Sequence, residues 1–482
     1  MEAQMSFSRS LRQLAVLTGT AIAFSTGGDL AAQTIPPGGM PELGGGQSST
    51  GDEMMPRLFL GRNGEVLRLW QRRGDDRQGG GTVSLARATP PDKWRTLVEL
   101  RASEKGVSIR DGALAISPSN DLAVVYRWWR NSPRAKQLRL ARSTDGGATW
   151  SQPGTPIDGS SKAFEPVIGW GRGRTLVVVW SDERRADRGF DVYVRRSPDG
   201  GSTWESEQIL SRFPEVLPAD LAARPRLVAD GQDRFWVLFV GLKRGRSSLY
   251  VTRSVDGGRT WSDPVAVTGE SQSVYGHSLE RAGDRLLVVW QDARIGKDRL
   301  YAATSKDAGA TWTAPARVDH LRDDAEFDAT SPTVMLGNSG EALVAWEDRR
   351  NGRPDIFLQS SKDGGVTWAA EDQRMDMDEP GTAVSRFPKL REAPDGRVAL
   401  VWEDDRGGLE AIYLRVRSAG DKPKWGPEIR VSPAVPKVAG RLAELQWAPD
   451  HSLYVAWEAW TTVSGSLTKK RVEGKMLRIP ES

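Results

Sequence analysis

The chain has 482 residues, with 67 Lys and Arg against 63 Asp and Glu, 38% hydrophobic residues, three histidines and no cysteine. Charges of both signs are interleaved along it, which argues against the basic patch of a nucleic-acid-binding protein. The missing cysteine excludes disulfides, thiol nucleophiles, cysteine zinc sites and a lipid anchor on cysteine, and His277, His320 and His451 do not pair at ligand spacing.

The first 33 residues differ from the rest. Arg9 and Arg12 precede the apolar run LAVLTGTAIAF (14–24), and small residues follow, ending in DLAAQ (29–33). A charged start, a short apolar stretch and a small-residue exit describe a signal peptide over 1–33. The run is well short of the roughly 20 apolar residues that cross a bilayer. Residues 34–54 (TIPPGGMPELGGGQSSTGDEM) read as a flexible linker. The expectation is an exported protein, periplasmic or extracellular, with no transmembrane segment in the mature chain.

From residue 55 to 482 one rhythm repeats. A short apolar segment is followed by a β-rich run ending in a large aromatic, a polar loop, a second β-rich run, a DGG-type turn and a last short strand. The aromatic recurs at Trp70, Tyr126, Trp180, Phe239, Trp290, Trp346, Trp402 and Trp457, at intervals of 51 to 59 residues. Eight units with room for about four strands each predict an all-β fold, a β-propeller of four-stranded blades. Eight blades are expected, or seven if the terminal units share one. In unit eight the last two strands are expected at SLTKKRVEG and KMLRIPE.

Five units carry the turn as STDGGATW (143–150), SPDGGSTW (197–204), SVDGGRTW (254–261), SKDAGATW (305–312) and SKDGGVTW (361–368). Glycine accepts positive φ, and a short carboxylate takes hydrogen bonds from turn amides. Asp145, Asp199, Asp256, Asp307 and Asp363 therefore read as structural, because five equivalent acids round a ring cannot all address one substrate. Four units also carry W-x-D-x-R, at Trp180/Asp182/Arg184, Trp290/Asp292/Arg294, Trp346/Asp348/Arg350 and Trp402/Asp404/Arg406, whose Asp–Arg pairs read as loop or blade ties.

The turn strings match the Asp-box, S-x-D-x-G-x-T-W, and over nearly the whole chain after residue 55 the protein resembles the sialidase-like propellers. That family includes sialidases, other glycosidases and non-catalytic binding proteins, so the resemblance is more specific for fold than for activity. It implies Asp-boxes on the face opposite the active site. It also implies three arginines gripping a carboxylate, a tyrosine nucleophile assisted by glutamate, and an aspartate acid/base. Arg224, Arg386 and Arg441, with Asp328, Tyr275 and Glu165, supply those residue types. The family's F-R-I-P string is missing from unit one, which reads MMPRLFL (54–60); the nearest strings, SRFPKL (385–390) and ARPRLV (223–228), sit in other units.

Two units break the W-x-D-x-R pattern. YRWWRN (126–131) places Trp128 and Trp129, and WEAW (457–460) places Trp460, in the corresponding loops of units that lie close together in a closed ring. Exposed there, the rings would suit stacking on sugars or docking a protein. The expected function is a glycan-binding propeller with possible sialidase-type hydrolysis. The alternative is a non-catalytic scaffold that docks an envelope protein partner. No cofactor motif occurs, and the acidic stretch MDMDEP (375–380) is too short to argue for a metal.

Overall fold

The computed structural model describes residues 53–479, apart from 75–79, 90–92, 131–134, 152–154, 161, 186–189, 213–220, 244–245, 270, 272–273 and 464–465. The signal-peptide segment 1–33 lies outside the described residues, as does the linker except for its last two positions. Those two, Glu53 and Met54, belong to the first strand, Glu53–Leu60.

Every named element is a strand, and the strands form eight antiparallel sheets, seven of four strands and one of three. We number the sheets as blades 1 to 8. Their first strands are Glu53–Leu60, Val107–Ile116, Ala163–Trp170, Leu221–Ala229, Val274–Ala282, Ala329–Leu336, Ser385–Glu392 and Val438–Trp447. First strands pack on one another from blade 2 round to blade 8 and on to blade 1, so they form the innermost ring of an eight-bladed propeller. The terminal units do not share a sheet. In blade 8 the two expected outer strands are one, Ser466–Arg478, which pairs along all of Ser452–Val463 and leaves a three-stranded sheet. The ring is closed by side-chain packing of Leu58 and Val66 on Ala448, Tyr454 and Ala456, and by a hydrogen bond from the Met55 amide to Glu458 Oε1 (2.9 Å).

The core lies between blades, where the faces of neighbouring sheets meet. The eight repeated aromatics are all buried there, with Trp180, Trp290, Trp346 and Trp402 at 0% exposure. In these four blades each tryptophan stacks on an aromatic of the third strand, such as Phe357 beside Trp346 with centroids 6.1 Å apart.

The Asp-box is a closed local network. In the first copy the Ser143 hydroxyl donates to Asp145 Oδ1 (2.7 Å) and accepts from the Gly147 amide (2.7 Å). Thr149 donates its amide to Oδ1 (2.9 Å) and its hydroxyl to Oδ2 (2.5 Å). Those two donors, with Ser143, hold the Asp145 carboxylate well below the usual range. The same bonds recur around Asp199, Asp256, Asp307 and Asp363.

Each of these turns joins third and fourth strands. In an antiparallel meander that end is opposite both the start of the first strand and the loop between second and third strands. Arginines on third strands also reach the Asp-box turn of the next blade: Arg142 to Gly200 O, Arg196 to Gly257 O and Arg253 to Ala308 O. Arg196 is buried, and its Nε lies 2.7 Å from Gly257 O. Replacing it with Ala is expected to lower stability by about 2 kcal/mol, since a charged donor is lost and a turn carbonyl is left unpaired. The denaturation midpoint reads this directly, and an unchanged midpoint would remove the latch role.

Candidate functional site

All eight first strands carry a β-bulge at the same level. At its centre stands a residue of positive φ: Met55, Asp111, Glu165, Arg224, Gly276, Ser331, Phe387 or Leu442, with φ between 38° and 61°. Seven of the eight are not glycine, so each holds backbone strain of order 1–3 kcal/mol. A bulge tilts its strand and re-aims the adjoining side chains. Here it does so eight times, at the end of the ring opposite the Asp-boxes.

The freed bulge amide is capped from the neighbouring blade. Asp111 N donates to Gln71 Oε1 (3.1 Å), Arg224 N to Ser181 Oγ (3.2 Å), Leu442 N to Glu403 Oε2 (3.1 Å) and Met55 N to Glu458 Oε1 (2.9 Å). The acceptors are equivalent residues, the second-strand partners of the position before each bulge. Across blades 6, 7 and 8 that position holds Glu347, Glu403 and Glu458, all buried. Burial pushes all three carboxyls up, Glu403 to about 8 with Glu410 and Glu347 adding to it and Arg441 opposing.

Arg386 and Arg441 occupy equivalent positions, immediately before the bulges of blades 7 and 8. Arg441 pairs back onto blade 7, with Nη2 3.1 Å from Glu410 Oε1 and Nε 4.0 Å from Glu403 Oε2. Arg386 acts by charge on Glu347 of blade 6. Among the described residues its guanidinium has no hydrogen-bond partner. Glu347 Oε1 accepts from Ser331 (2.8 Å) and Thr330 (3.2 Å), while its buried Oε2 accepts from nothing. Unused donors and an unused acceptor therefore adjoin on neighbouring blades.

The other expected residues are spread round the ring. Arg224 is in blade 4 at the bulge centre, a different register position from Arg386 and Arg441, and its charge acts on Glu165 of blade 3. Glu165 Oε2 accepts from Ser181 Oγ at 3.3 Å, and burial pushes its carboxyl up against the pull of Arg224. Tyr275 precedes the blade 5 bulge and packs with Phe190 and Leu242. Asp328 is exposed at the entry to blade 6, where its Oδ1 accepts from the Asp298 amide (3.0 Å). Arg386 and Arg441 are thus brought onto adjacent blades, and Arg224 is not on either neighbour.

The three unpatterned tryptophans do not form an open patch. Trp128 and Trp460 are only 5% and 6% exposed, and Trp129 is partly exposed. Cations cover the rings: Arg130 and Arg139 lie over Trp128, Lys470 and Arg441 over Trp460, and Arg110 over Trp129 at 4.2 Å. Trp460 also spends its indole N–H on Glu458 Oε2 (2.8 Å). In the W-x-D-x-R loops the carboxylate is buried and the arginine lies over a third-strand ring, as Arg350 does over Phe357 at 3.9 Å.

Glu347, Glu403 and Glu458 do not stand out from the sequence as site residues. Their signal is present as W-E in three consecutive units, Trp346–Glu347, Trp402–Glu403 and Trp457–Glu458, where other units place Gln, Arg, Ser or Val after the aromatic.

An acidic group, Asp355, Asp376 and Asp378, lies on the outer part of blade 6. Arg374 Nη2 reaches all three, at 3.3, 2.8 and 2.7 Å, so a guanidinium already occupies the place a cation would take.

The fold and the strained ring of bulges thus define an eight-bladed Asp-box propeller with charged residues massed at one end of its channel. Residues 64–269 match the BNR repeat-like domain. A sialidase of Bacteroides fragilis is 23% identical over 209 residues, covering 37% of this chain and 37% of the relative. A xyloglucanase of a Paenibacillus species is 27% identical over 254 residues, covering 48% of this chain and 23% of the relative. The match therefore spans well under half the length of either relative. The solved intramolecular trans-sialidase of Ruminococcus gnavus is similar with a TM-score of 0.38 and 14% identity, over 93% of this chain and 97% of that one. In its Asp-box turns and over residues 64–269 the chain is similar to the sialidase-like, BNR-repeat β-propellers.

Proposed function

We propose that the protein is exported and binds glycans at the bulge end of the channel, over blades 6 to 8. The observation that carries this is the juxtaposition of Arg386, with no hydrogen bond spent, and the buried, unaccepting Oε2 of Glu347. A sugar hydroxyl can accept from the Arg386 guanidinium, whose donors are unspent, beside the buried acid of the neighbouring blade. Arg441, held by Glu410 and Glu403, extends the same alternation of donors and acceptors to the next blade. The relatives, which include sialidases and xyloglucanases, support a carbohydrate ligand. Export rests on the pattern of residues 1–33 and is tested by the N-terminus of the protein recovered from the cell envelope or medium.

Because Glu347, Glu403 and Glu410 already face these arginines, the ligand we propose is a neutral glycan rather than an acidic one, which would meet those acidic groups. Any hydrolysis would fall to Asp328 as acid/base and Tyr275 with Glu165 as nucleophile and helper, with Arg224 as a further contact. Binding without turnover is the reading we favour. A glycan array read with wild type, Arg386→Ala and Glu347→Gln tests it. Each substitution is expected to weaken neutral-glycan binding about tenfold or more, by removal of one side of a buried hydrogen-bonded pair. Unchanged binding in both variants would sink the site, and the scaffold reading, docking of an envelope protein, would stand. Turnover of a fluorogenic sialoside, abolished by Tyr275→Phe, would instead establish an enzyme.

A further inference from the structure

At the bulge end the chain crosses from the last strand of one blade to the first strand of the next. Three of these loops are polar or charged, reading ASEKG (102–106), VDHLRDD (318–324) and MDMDEPG (375–381). The loop from blade 7 to blade 8 reads VSPAVPK (431–437) instead. Val431 is 1% exposed in the core of the blade, and the Ser432 hydroxyl accepts from the Ile412 amide (2.9 Å). Pro433, Ala434, Val435 and Pro436 then stand exposed together, and the exposed Lys437 follows them.

Two more side chains extend this apolar apex. Ile429, in the last strand of blade 7, is 39% exposed. Met377, on the loop from blade 6, is 61% exposed, and its amide donates to Glu428 Oε2 (3.2 Å), which holds it beside that strand. An exposed apolar run of this kind calls for something that covers it.

The backbone of the run fits a lipid cover. Two of its four residues are prolines, which have no N–H. The Val435 amide is spent on Pro433 O (3.0 Å), and Val435 O accepts from the Val438 amide (3.2 Å). Among the described residues Ala434 alone in the run keeps an unspent N–H. A segment that enters the apolar edge of a bilayer has to bring few unpaired donors, whereas a protein groove can satisfy them. The acids beside it are committed elsewhere, Glu428 to Arg406 and Asp378 to Arg374. Lys437 is left at the level where headgroup phosphates would lie.

We infer that this loop seats the bulge end of the propeller on a lipid surface, with Pro433 to Pro436 in the boundary between headgroups and acyl chains. The apolar area is small, so the seating is reversible. It does not depend on the glycan reading, although it would turn that site toward glycans carried on the same surface.

The chain has no cysteine, so Val435→Cys carries an environment-sensitive fluorophore to this loop alone. Val255→Cys is the control, since Val255 is 63% exposed on an Asp-box turn at the opposite end. When phosphatidylcholine vesicles are added to the full chain, the label at position 435 is expected to brighten and shift to the blue, and the label at position 255 to stay unchanged. Adding Ala434→Asp to the protein labelled at 435 is expected to abolish the response without moving the melting temperature. A silent label at 435 overturns the proposal and leaves a protein as the cover of the loop. Equal responses at both positions, which mean general adsorption, overturn it too. So does a response that survives Ala434→Asp, or one that appears only with phosphatidylglycerol, which would assign the contact to charge.

Discussion

Replacing Asp292 with Ala is expected to destabilise the propeller by about 3 kcal/mol, a large effect for one side chain in a chain of this size. Asp292 is fully buried and ends the second strand of blade 5. Its Oδ2 accepts from Trp290 Nε1 (3.0 Å) and Arg294 Nη2 (2.6 Å), and its Oδ1 from the Arg294 amide (2.8 Å) and Ser271 Oγ (2.8 Å). Removal strands an indole N–H inside the core, a backbone amide, a hydroxyl and a guanidinium at once. The arginine keeps part of its hydration, which holds the figure at the lower end of the range for a broken buried pair. Asp292→Asn keeps one acceptor oxygen and should fall between wild type and Ala. Denaturant midpoints rank the three proteins, and an Ala variant within error of wild type would reduce the W-x-D-x-R motif to a surface ion pair.

The second large effect concerns pH. Glu403 is 2% exposed and its carboxyl is pushed up from 4.5 to about 8 by burial, with Glu410 and Glu347 adding to it and Arg441 and the Leu442 amide opposing. A carboxyl raised in the folded state binds its proton more tightly there than in the unfolded chain. Its contribution to stability is complete below about pH 4.5 and is lost as pH rises through 8. At about 1.4 kcal/mol for each pH unit between those two values, the loss is on the order of 5 kcal/mol. Glu403→Gln keeps an oxygen for the Leu442 amide and cannot ionise. Its stability is expected to fall less than that of wild type between about pH 5 and 8.5, the two curves separating most at the alkaline end. Parallel curves would show that Glu403 ionises freely in the fold, and the buried acidic arc would lose its electrostatic basis.

Much of the fold is legible in the sequence because its determinants are local and repeated. The Asp-box closes its hydrogen bonds within five residues, so S-x-D-x-G-x-T-W is readable wherever it occurs. The aromatics at 51-to-59-residue spacing mark second strands because a large ring must sit in the interface between two sheets. The outer strand of blade 8 is the exception, because Gly474 reads as a turn. That glycine instead pairs with Ala456 within the long ladder of the blade. A side chain there would meet Val455 O at 3.2 Å and the Arg68 and Trp94 side chains at 3.5 Å, so the glycine answers to close packing rather than to a change of direction.

The site is less legible. Arg224 and Arg386 look alike in sequence, standing one and two residues before a proline in ARPRLV and SRFPKL. The bulge nevertheless separates them into two registers, since one residue of slip changes which side chain faces the neighbouring blade. Trp128 and Trp460 look like exposed loop aromatics, whereas the strands run on past them and cationic side chains fold over their rings.

The residue pattern alone thus carried the blade repeat and the local role of the aspartate turns. Those features depend on bonds between residues a few positions apart. Which charges neutralise one another was decided only by the closed ring. Arg441 meets Glu410 and Glu403, and Arg386 meets Glu347, because blades far apart in sequence converge on one axis. Electrostatic partnership depends on distance in space, and a chain read residue by residue does not carry that distance.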